Sequence, residues 1–382
     1  MEILDGLNSP KRILHIVSAM DRGGAETIIM NIYRHVDRKK IQFDFITHSN
    51  KKQDFEDEII SLGGKLFKTP SLGESGPIVY LKRLAKIMSS YPYQAVHAHT
   101  DYQAGFPALA AKLVGIKIRI CHSHSNNWTK GNHIKGKLTH KALQTMMKVS
   151  ANRYCGCSPE ATRFMFGKQI VKNKKVLILK NGINLTEFTE TNNNSKTSVI
   201  REFDLRKDVK IIGHVGRFSD SKNHIFILKF LETLLKKDRR FIALLIGDGP
   251  LKSEIEQKAD ALGIKDHIRF LGVRTDIPRL MNAFDVFLFP SLFEGFGIAA
   301  LEAQGAGTPC IISDTIPKST DMELGLASFI SLEEPLEIWC EETINSLLIA
   351  TPDNETIKKF ITTKGYDIKS NVKDWLKLYE VS

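Results

Sequence analysis

The chain opens on an apolar run that ends in a pair of glycines. Residues 12–19, Arg-Ile-Leu-His-Ile-Val-Ser-Ala, read as a buried strand. The turn Met20-Asp21-Arg22-Gly23-Gly24 follows, and Ala25 to His35 has helical composition. Strand, glycine turn and helix in that order begin a doubly wound α/β domain. The alternation continues with strands at Phe43–Thr47, Lys65–Lys68, Ala95–His99 and Lys117–His122, and helices around Phe55–Leu62 and Ala104–Leu113. Asn173–Lys180 reads as the last strand of this half, and Asn181-Gly182 as its turn.

A polar Thr/Asn/Ser stretch, Thr189 to Ser198, reads as a linker. The pattern then restarts, with strands at Val209–Val215, Phe241–Ile246, Ile268–Leu271, Val286–Phe289 and Cys310–Ser313. Helices fall at His224–Lys236, Leu251–Leu262, Ile277–Asn282 and Ile298–Gln304. Two parallel-sheet, helix-covered domains are implied, spanning 1–188 and 199–365. An amphipathic helix in 366–382 carries Val372, Trp375, Leu376 and Tyr379 on one stripe. Ligands of such sheets bind at the carboxyl ends of the strands, which places the site in a cleft between the domains.

Charge is distributed unevenly along the 382 residues. Residues 1–185 hold 29 Lys and Arg against 13 Asp and Glu, a net +16, so the second half carries −5 of the overall +11. Within 119–180 there are 13 basic residues and one acid, Glu160. A membrane surface, a lipid phosphate or a nucleic acid would suit that field, as would a merely solvated basic face. The basic stretch lacks interleaved aromatics and a nucleic-acid module, so no nucleic acid is expected. No apolar run is long enough to span a bilayer, and Met1 to Pro10 lacks the apolar core of a signal peptide. The expected location is the cytoplasm. The five cysteines, Cys121, Cys155, Cys157, Cys310 and Cys340, are odd in number and irregularly spaced, as for reduced, partly buried thiols.

Two segments carry chemistry. In Phe293-Glu294-Gly295-Phe296-Gly297-Ile298-Ala299-Ala300-Leu301-Glu302 two carboxylates stand eight positions apart, one in a glycine-flanked loop after a strand and one in the next helix. Free amides at a helix N-terminus favour phosphate, carboxylates accept hydrogen bonds from sugar hydroxyls, and glycine lets backbone approach closely. In Gly216-Arg217-Phe218-Ser219-Asp220-Ser221-Lys222-Asn223, again between strand and helix, Arg217 offers a fork for phosphate oxygens and Lys222 a point charge. No Asp-x-Asp sits at a strand end, and Asp54-Phe55-Glu56-Asp57-Glu58 reads as the start of a surface helix. Fixed cations and a helix terminus can balance an anionic ligand in place of a metal, so no metal and no cofactor is expected.

Over nearly its whole length the chain resembles the retaining glycosyltransferases of group 1, family 4, with the two-domain fold called GT-B. The likeness rests on Gly23-Gly24, His124, Arg217 with Lys222, Glu294 with Glu302, and the final helix. After that motif, Ser313-Asp314-Thr315-Ile316-Pro317, Phe329-Ile330-Ser331-Leu332 and Trp339 resemble the capsular and exopolysaccharide branch, which builds repeat units on a lipid diphosphate. The resemblance implies two Rossmann-like domains facing a central cleft and a final helix that crosses back onto the first. It implies that Glu294 binds the transferred sugar, Glu302 the ribose, and Arg217 and Lys222 the leaving diphosphate. The Gly295–Gly297 amides, Phe296 included, would reach the donor, Arg274 the base, and Gly23 and Gly24 would let the first loop approach. His124 would face the transferred sugar, with His122 as the alternative at that strand end, and His99 would line the acceptor side. The expected reaction moves a sugar, with retention, from a UDP-sugar to a lipid-diphosphate-linked saccharide at the inner membrane face, residues 119–180 lying against anionic lipid. A sugar-nucleotide epimerase on the same fold and a non-catalytic binder of anionic ligands are the rival readings.

Overall fold

The computed structural model describes residues 9–124, 134–172, 176–190 and 194–381. Residues 1–8 of the N-terminal stretch read above, Lys130, Lys174 and Lys175 of the basic region, the first residues of the expected strand at 173–180, and 191–193 of the polar stretch lie outside these. The chain divides into two compact units, one formed by residues up to Gly182 with Ile368 onward, the other by Ile183–Asp367.

The first unit is a seven-stranded sheet in the order β3-β2-β1-β4-β5-β6-β7. Its strands are β1 (Lys11–Ile16), β2 (Ile41–Thr47), β3 (Leu66–Lys68), β4 (Tyr93–Ala98), β5 (Ile118–Ser123), β6 (Arg153–Gly156) and β7 (Val176–Ile178). Every neighbouring pair is parallel. All seven residues of β2 are buried, including Asp44. That carboxylate is compensated by Arg12, by the Lys65 amide at 2.8 Å and by the Tyr93 hydroxyl at 3.1 Å.

Chain order reverses between β1 and β4. Such a switch point splays the connecting loops apart and opens a crevice at the carboxyl edge. The second unit repeats the plan with six strands in the order β10-β9-β8-β11-β12-β13. These are β8 (Lys210–Val215), β9 (Phe241–Ile246), β10 (Ile268–Gly272), β11 (Val286–Phe289), β12 (Cys310–Ser313) and β13 (Ala327–Ile330). Its switch point lies between β8 and β11.

The structure moves the expected division. Residues 183–188, placed with the first domain above, belong to the second unit, and the polar stretch supplies the start of a helix, Ser195–Glu202. Packing decides against composition here. Leu185, Phe188 and Val199 are buried, and the Asn282 and Asn354 amides donate to the carbonyls of Phe188 and Thr189 at 2.9 and 2.7 Å. The helix Ile368–Leu378 belongs to the first unit, as expected of the final helix, and packs beside the helix Gly24–His35. Trp375 and Tyr379 are fully buried there. The Tyr379 hydroxyl shares a 2.7 Å hydrogen bond with His97 Nδ1, which ties the last helix to the middle of the sheet. All five cysteines are buried and free.

Tyr379→Phe removes that hydrogen bond and leaves a buried imidazole nitrogen unsatisfied, which costs about 1–3 kcal/mol. Urea denaturation of the variant should show the loss with an unchanged slope; equal midpoints would mean that this contact does not hold the helix.

Candidate active site

The switch point of the second unit brings together the two segments read from the sequence. The loop after β8 runs through a short turn, Asp220–Lys222, to the helix His224–Lys237. The loop after β11 runs to the helix Ile298–Gly305. Backbone ties lock the loops: the Leu292 amide donates to the Ser221 carbonyl at 2.8 Å, and the Asn223 side chain to the Pro290 carbonyl at 3.2 Å. Asn223 takes a left-handed conformation, φ 55°, which Asn tolerates better than most residues. The β9 loop closes against the same edge. A Cβ on Gly247 would stand 2.1 Å from the Gly216 carbonyl oxygen, so no larger residue fits.

Lys222 and Glu294, 72 positions apart, form an ion pair on this edge, and the ammonium lies 5.0 Å from the centre of the Phe289 ring. Arg217 is exposed, and its guanidinium makes no hydrogen bond or ion pair with the described residues. Gly297 precedes the helix at φ 94°, with Phe289 and Ile316 within 3.1 and 3.3 Å of where a Cβ would lie. The backbone conformation favours glycine there, and a Cβ would be tightly packed. The Phe296 side chain is buried, stacked on Tyr366 at 4.8 Å, and its carbonyl accepts from Thr320. Only the backbone of the Gly295–Gly297 turn is thus left to meet a ligand.

The carboxyl of Glu302, on the helix Ile298–Gly305, has no hydrogen-bond or ion-pair partner among the described residues. Burial, with the nearby Glu187, pushes its carboxyl up to about 8, although one side keeps partial exposure. A carboxyl so placed gains from any hydroxyl pair that can donate to it. Glu187 was not singled out in the sequence. Its proximity arises because the segment after Ile183 folds onto the second unit.

Arg274 stands after β10, where the sequence placed it, but it is not a free cation. Its Nε meets Asp276 at 2.8 Å, and its Nη2 meets Asp276 at 2.9 Å and Glu202 at 3.0 Å. Arg279 joins the same carboxylates, and Arg274 followed by Arg279 holds Asp276 down to about 2. Nη1 is the nitrogen of Arg274 with no described partner.

In the first unit, Gly23 and Gly24 begin the helix Gly24–His35 at the β1 edge, with the side chain of Glu26 against Gly23. His99, His122 and His124 all stand at the carboxyl ends of β4 and β5 and touch. His99 Nδ1 lies 2.8 Å from His124 Nε2, and the His122 and His124 rings stack at 4.1 Å. Two histidines complete the group. His15 Nδ1 is 3.0 Å from His99 Nε2, and His97 Nε2 is 3.1 Å from His122 Nδ1. The pattern that could have found His97 is the repeated His-x-His of β4 and β5, whose period of two puts those four rings on one sheet face; His15, on β1, has no such signal. Burial lowers every one of these imidazoles, His15 to about 3 and His124 to about 4, so the cluster is neutral. The His124 amide donates to Asp101 at 3.1 Å.

The basic region is partly structural. Arg119 donates to the carbonyls of Ser150 and Ile116 at 2.8 Å, and Arg153 pairs with Glu380 at 2.7 Å. Lys137, Lys141, Lys148, Arg163, Lys168 and Lys172 are exposed. No helix among the described residues is long and apolar enough to cross a membrane.

Two doubly wound parallel-sheet units with helices are the architecture of GT-B glycosyltransferases. Residues 195–322 match the family described as Glycosyl transferases group 1, and residues 22–187 match Glycosyltransferase Family 4. The chain is 42% identical over 376 residues to the Bacillus subtilis (strain 168) protein named glycosyltransferase EpsF, with 98% of each chain covered. It belongs to this family of glycosyltransferases. It is 28% identical over 238 residues, 60% of each chain, to the Escherichia coli UDP-Gal:alpha-D-GlcNAc-diphosphoundecaprenol alpha-1,3-galactosyltransferase. Its fold is that of Anabaena HepE, solved with UDP and glucose: TM-score 0.76 and 18% identity, covering 97% of this chain and 99% of that one.

Glu302 carries a testable signature. A carboxyl raised from 4.5 to about 8 keeps its proton in the folded state where the unfolded chain has lost it. Its contribution to stability is therefore present below about pH 4.5 and lost as pH rises through about 8. Glu302→Gln, which cannot ionise, should melt higher than the parent, and the gap should widen from pH 5 to pH 9. It should reach several degrees, at roughly 2–4 °C per kcal/mol for a unit of this size. A gap that does not change with pH would show that the carboxyl is not desolvated.

Proposed function

We propose that this glycosyltransferase moves a sugar, with retention, from a UDP-sugar to a lipid-diphosphate-linked saccharide in exopolysaccharide or capsule assembly. The observation that carries the reading is the meeting of Lys222 with Glu294 at the second switch point, beside an unpartnered Arg217 and an unpartnered Glu302. That set offers two cations to a diphosphate and two carboxyls to hydroxyl groups. Arg217 and Lys222 take the leaving diphosphate, together with the amides of the Gly295–Gly297 turn. Glu294 takes hydroxyls of the transferred sugar, Glu302 the ribose diol, and Arg274 the base through Nη1. Gly23 and Gly24 give the first loop room to approach the donor. No metal is needed on the diphosphate, because fixed cations and helix amides balance its charge.

His124 acts on the transferred sugar as a hydrogen-bond partner, with His99 and His122 behind it on the acceptor side. An imidazole lowered to about 4 is a poor proton acceptor at neutral pH, which disfavours it as the base that inversion would need. The leaving phosphate oxygen then takes the acceptor proton on the face from which it departs, and configuration is kept.

The enzyme works from the cytoplasmic side, held peripherally to the membrane. Supporting this, the helix Ile134–Ser150 presents Lys137, Leu138, Lys141, Lys148 and Val149 on one exposed face, with Leu138 63% and Val149 60% exposed. The UDP and diphosphoundecaprenol in the name of the Escherichia coli relative support the donor and the acceptor class.

Incubation with a panel of nucleotide sugars and a lipid-diphosphate saccharide tests the reading. Turnover should require the acceptor and persist in EDTA, and an α-linked donor should give an α-linked anomeric proton signal in the product. A β-linked product, abolition by EDTA, or donor conversion without acceptor, as an epimerase would give, contradicts it.

Arg217→Ala and Lys222→Ala should each lower turnover by roughly a hundredfold or more, since contacts to charge that builds up in the transition state are worth several kcal/mol. Steady-state rates on folded variants check this, and near-parental rates in both would remove these residues from the mechanism.

A further inference from the structure

The histidine cluster of the first unit does more than fill space. In it, His99, His122 and His124 each bring a ring nitrogen within 4.8 Å of the others. Tetrahedral Zn2+ with nitrogen ligands at about 2.0–2.1 Å sets those ligands roughly 3.3 Å apart. The 2.8 Å between His99 Nδ1 and His124 Nε2 is close to that spacing already.

One tautomer set compatible with these contacts leaves His99 Nδ1 and His122 Nε2 as lone pairs: His99 Nε2 donates to His15 Nδ1, His122 Nδ1 donates to His97 Nε2, and His97 Nδ1 donates to the Tyr379 oxygen. His122 Nε2 is buried and has no hydrogen-bond partner, which leaves its lone pair available to an ion. Metal-bound histidines commonly donate their second ring nitrogen to a neighbour that fixes the tautomer, and His15 and His97 stand in that relation to His99 and His122. His124 is the partly exposed member of the triad.

We propose that His99 Nδ1, His122 Nε2 and His124 Nε2 bind a borderline transition-metal ion, Zn2+ by preference, with water as the fourth ligand. Imidazole nitrogen is a donor for zinc, copper or nickel rather than for magnesium or calcium. Two other groupings in the cluster are less suited. His15 with His97 and His99, and His97 with His122 and Cys155, are buried throughout. The ion is no part of the transfer chemistry; it competes for His124. Zn2+ therefore suppresses transfer and a chelator restores it, a consequence that alone rests on the proposed reaction.

The binding test needs no substrate. Untagged full-length protein, dialysed against chelator and then against buffer, is titrated with Co2+ and with Zn2+. One equivalent of either should bind per chain, with the visible d–d absorption of tetrahedral cobalt, and Zn2+ should erase that absorption. His122→Gln and His124→Gln should each weaken binding at least tenfold while thermal unfolding without metal stays cooperative. If His122→Gln fails to fold, His124→Gln, whose ring is at the edge, decides alone. No saturable uptake at micromolar metal, uptake unchanged in the folded variants, or a thiolate-to-cobalt charge-transfer band marking Cys155 as a ligand would each overturn the assignment. Zn2+ binding without loss of transfer would leave the site standing and count against His124 as the residue facing the sugar.

Discussion

A parallel sheet covered by helices on both faces has few places to do chemistry. Its strands are buried along their length, and its backbone groups are used up in the ladder. What remains is the carboxyl edge, and on that edge the point where strand order reverses, because only there do the outgoing loops diverge. The second unit obeys this constraint closely. Lys222 leaves β8 and Glu294 leaves β11, the two strands that flank the reversal, and their side chains meet across it. The glycines serve the same constraint: at 247 a Cβ would collide with the loop after β8, and at 297 it would crowd Phe289 and Ile316.

Desolvation sets the character of the groups that sit there. Water is the cheapest partner for a charge, and the edge of a packed sheet excludes much of it. Lys222 and Glu294 keep their charges by pairing. Glu302, with no partner and Glu187 nearby, keeps its proton instead. In the first unit, five imidazoles solve the problem by staying neutral and bonding in two chains, His124 to His99 to His15 and His122 to His97 to Tyr379.

Much of this was legible in the sequence because period and turn chemistry are local. The alternation of strand and helix, the final helix and the two switch-point segments follow from residues close together in the chain. Lys222 and Glu294 could be named, yet that they touch depends on β8 and β11 being neighbours, and strand order is not local. His15 shows the same limit. Its place beside His99 follows from β1 lying next to β4, whereas the pairs His97 with His99 and His122 with His124 could be read from their spacing. The resemblance gives Arg274 to the base, whereas Asp276 two positions on is a local hint of pairing; Glu202 comes from a helix that begins in a stretch whose composition suggests a linker. There the polar residues face outward while Ser195 and Val199 are buried, and burial of a few side chains outweighs weak local preference.

The charge balance of the second unit fits the order in which a donor would be received. Before it arrives, Lys222 and Glu294 cancel, Glu302 is protonated near neutral pH, and Arg217 is the one uncancelled charge among these four. An exposed guanidinium is the group a diphosphate would meet first, and its planar fork suits two phosphate oxygens. On the proposed chemistry, an arriving diphosphate would compete for Lys222, and every increment of contact that Lys222 gave to phosphate would free Glu294 to accept from sugar hydroxyls. The ion pair thus holds both residues in place without committing either, which is a form of pre-organisation that costs little to undo because the incoming groups replace each lost contact. Glu302 completes the exchange on the proposed chemistry. Ribose hydroxyls that donate to it favour the ionised form, so nucleotide binding and proton release are coupled, and the carboxyl that destabilises the empty site at alkaline pH is the one that rewards its filling.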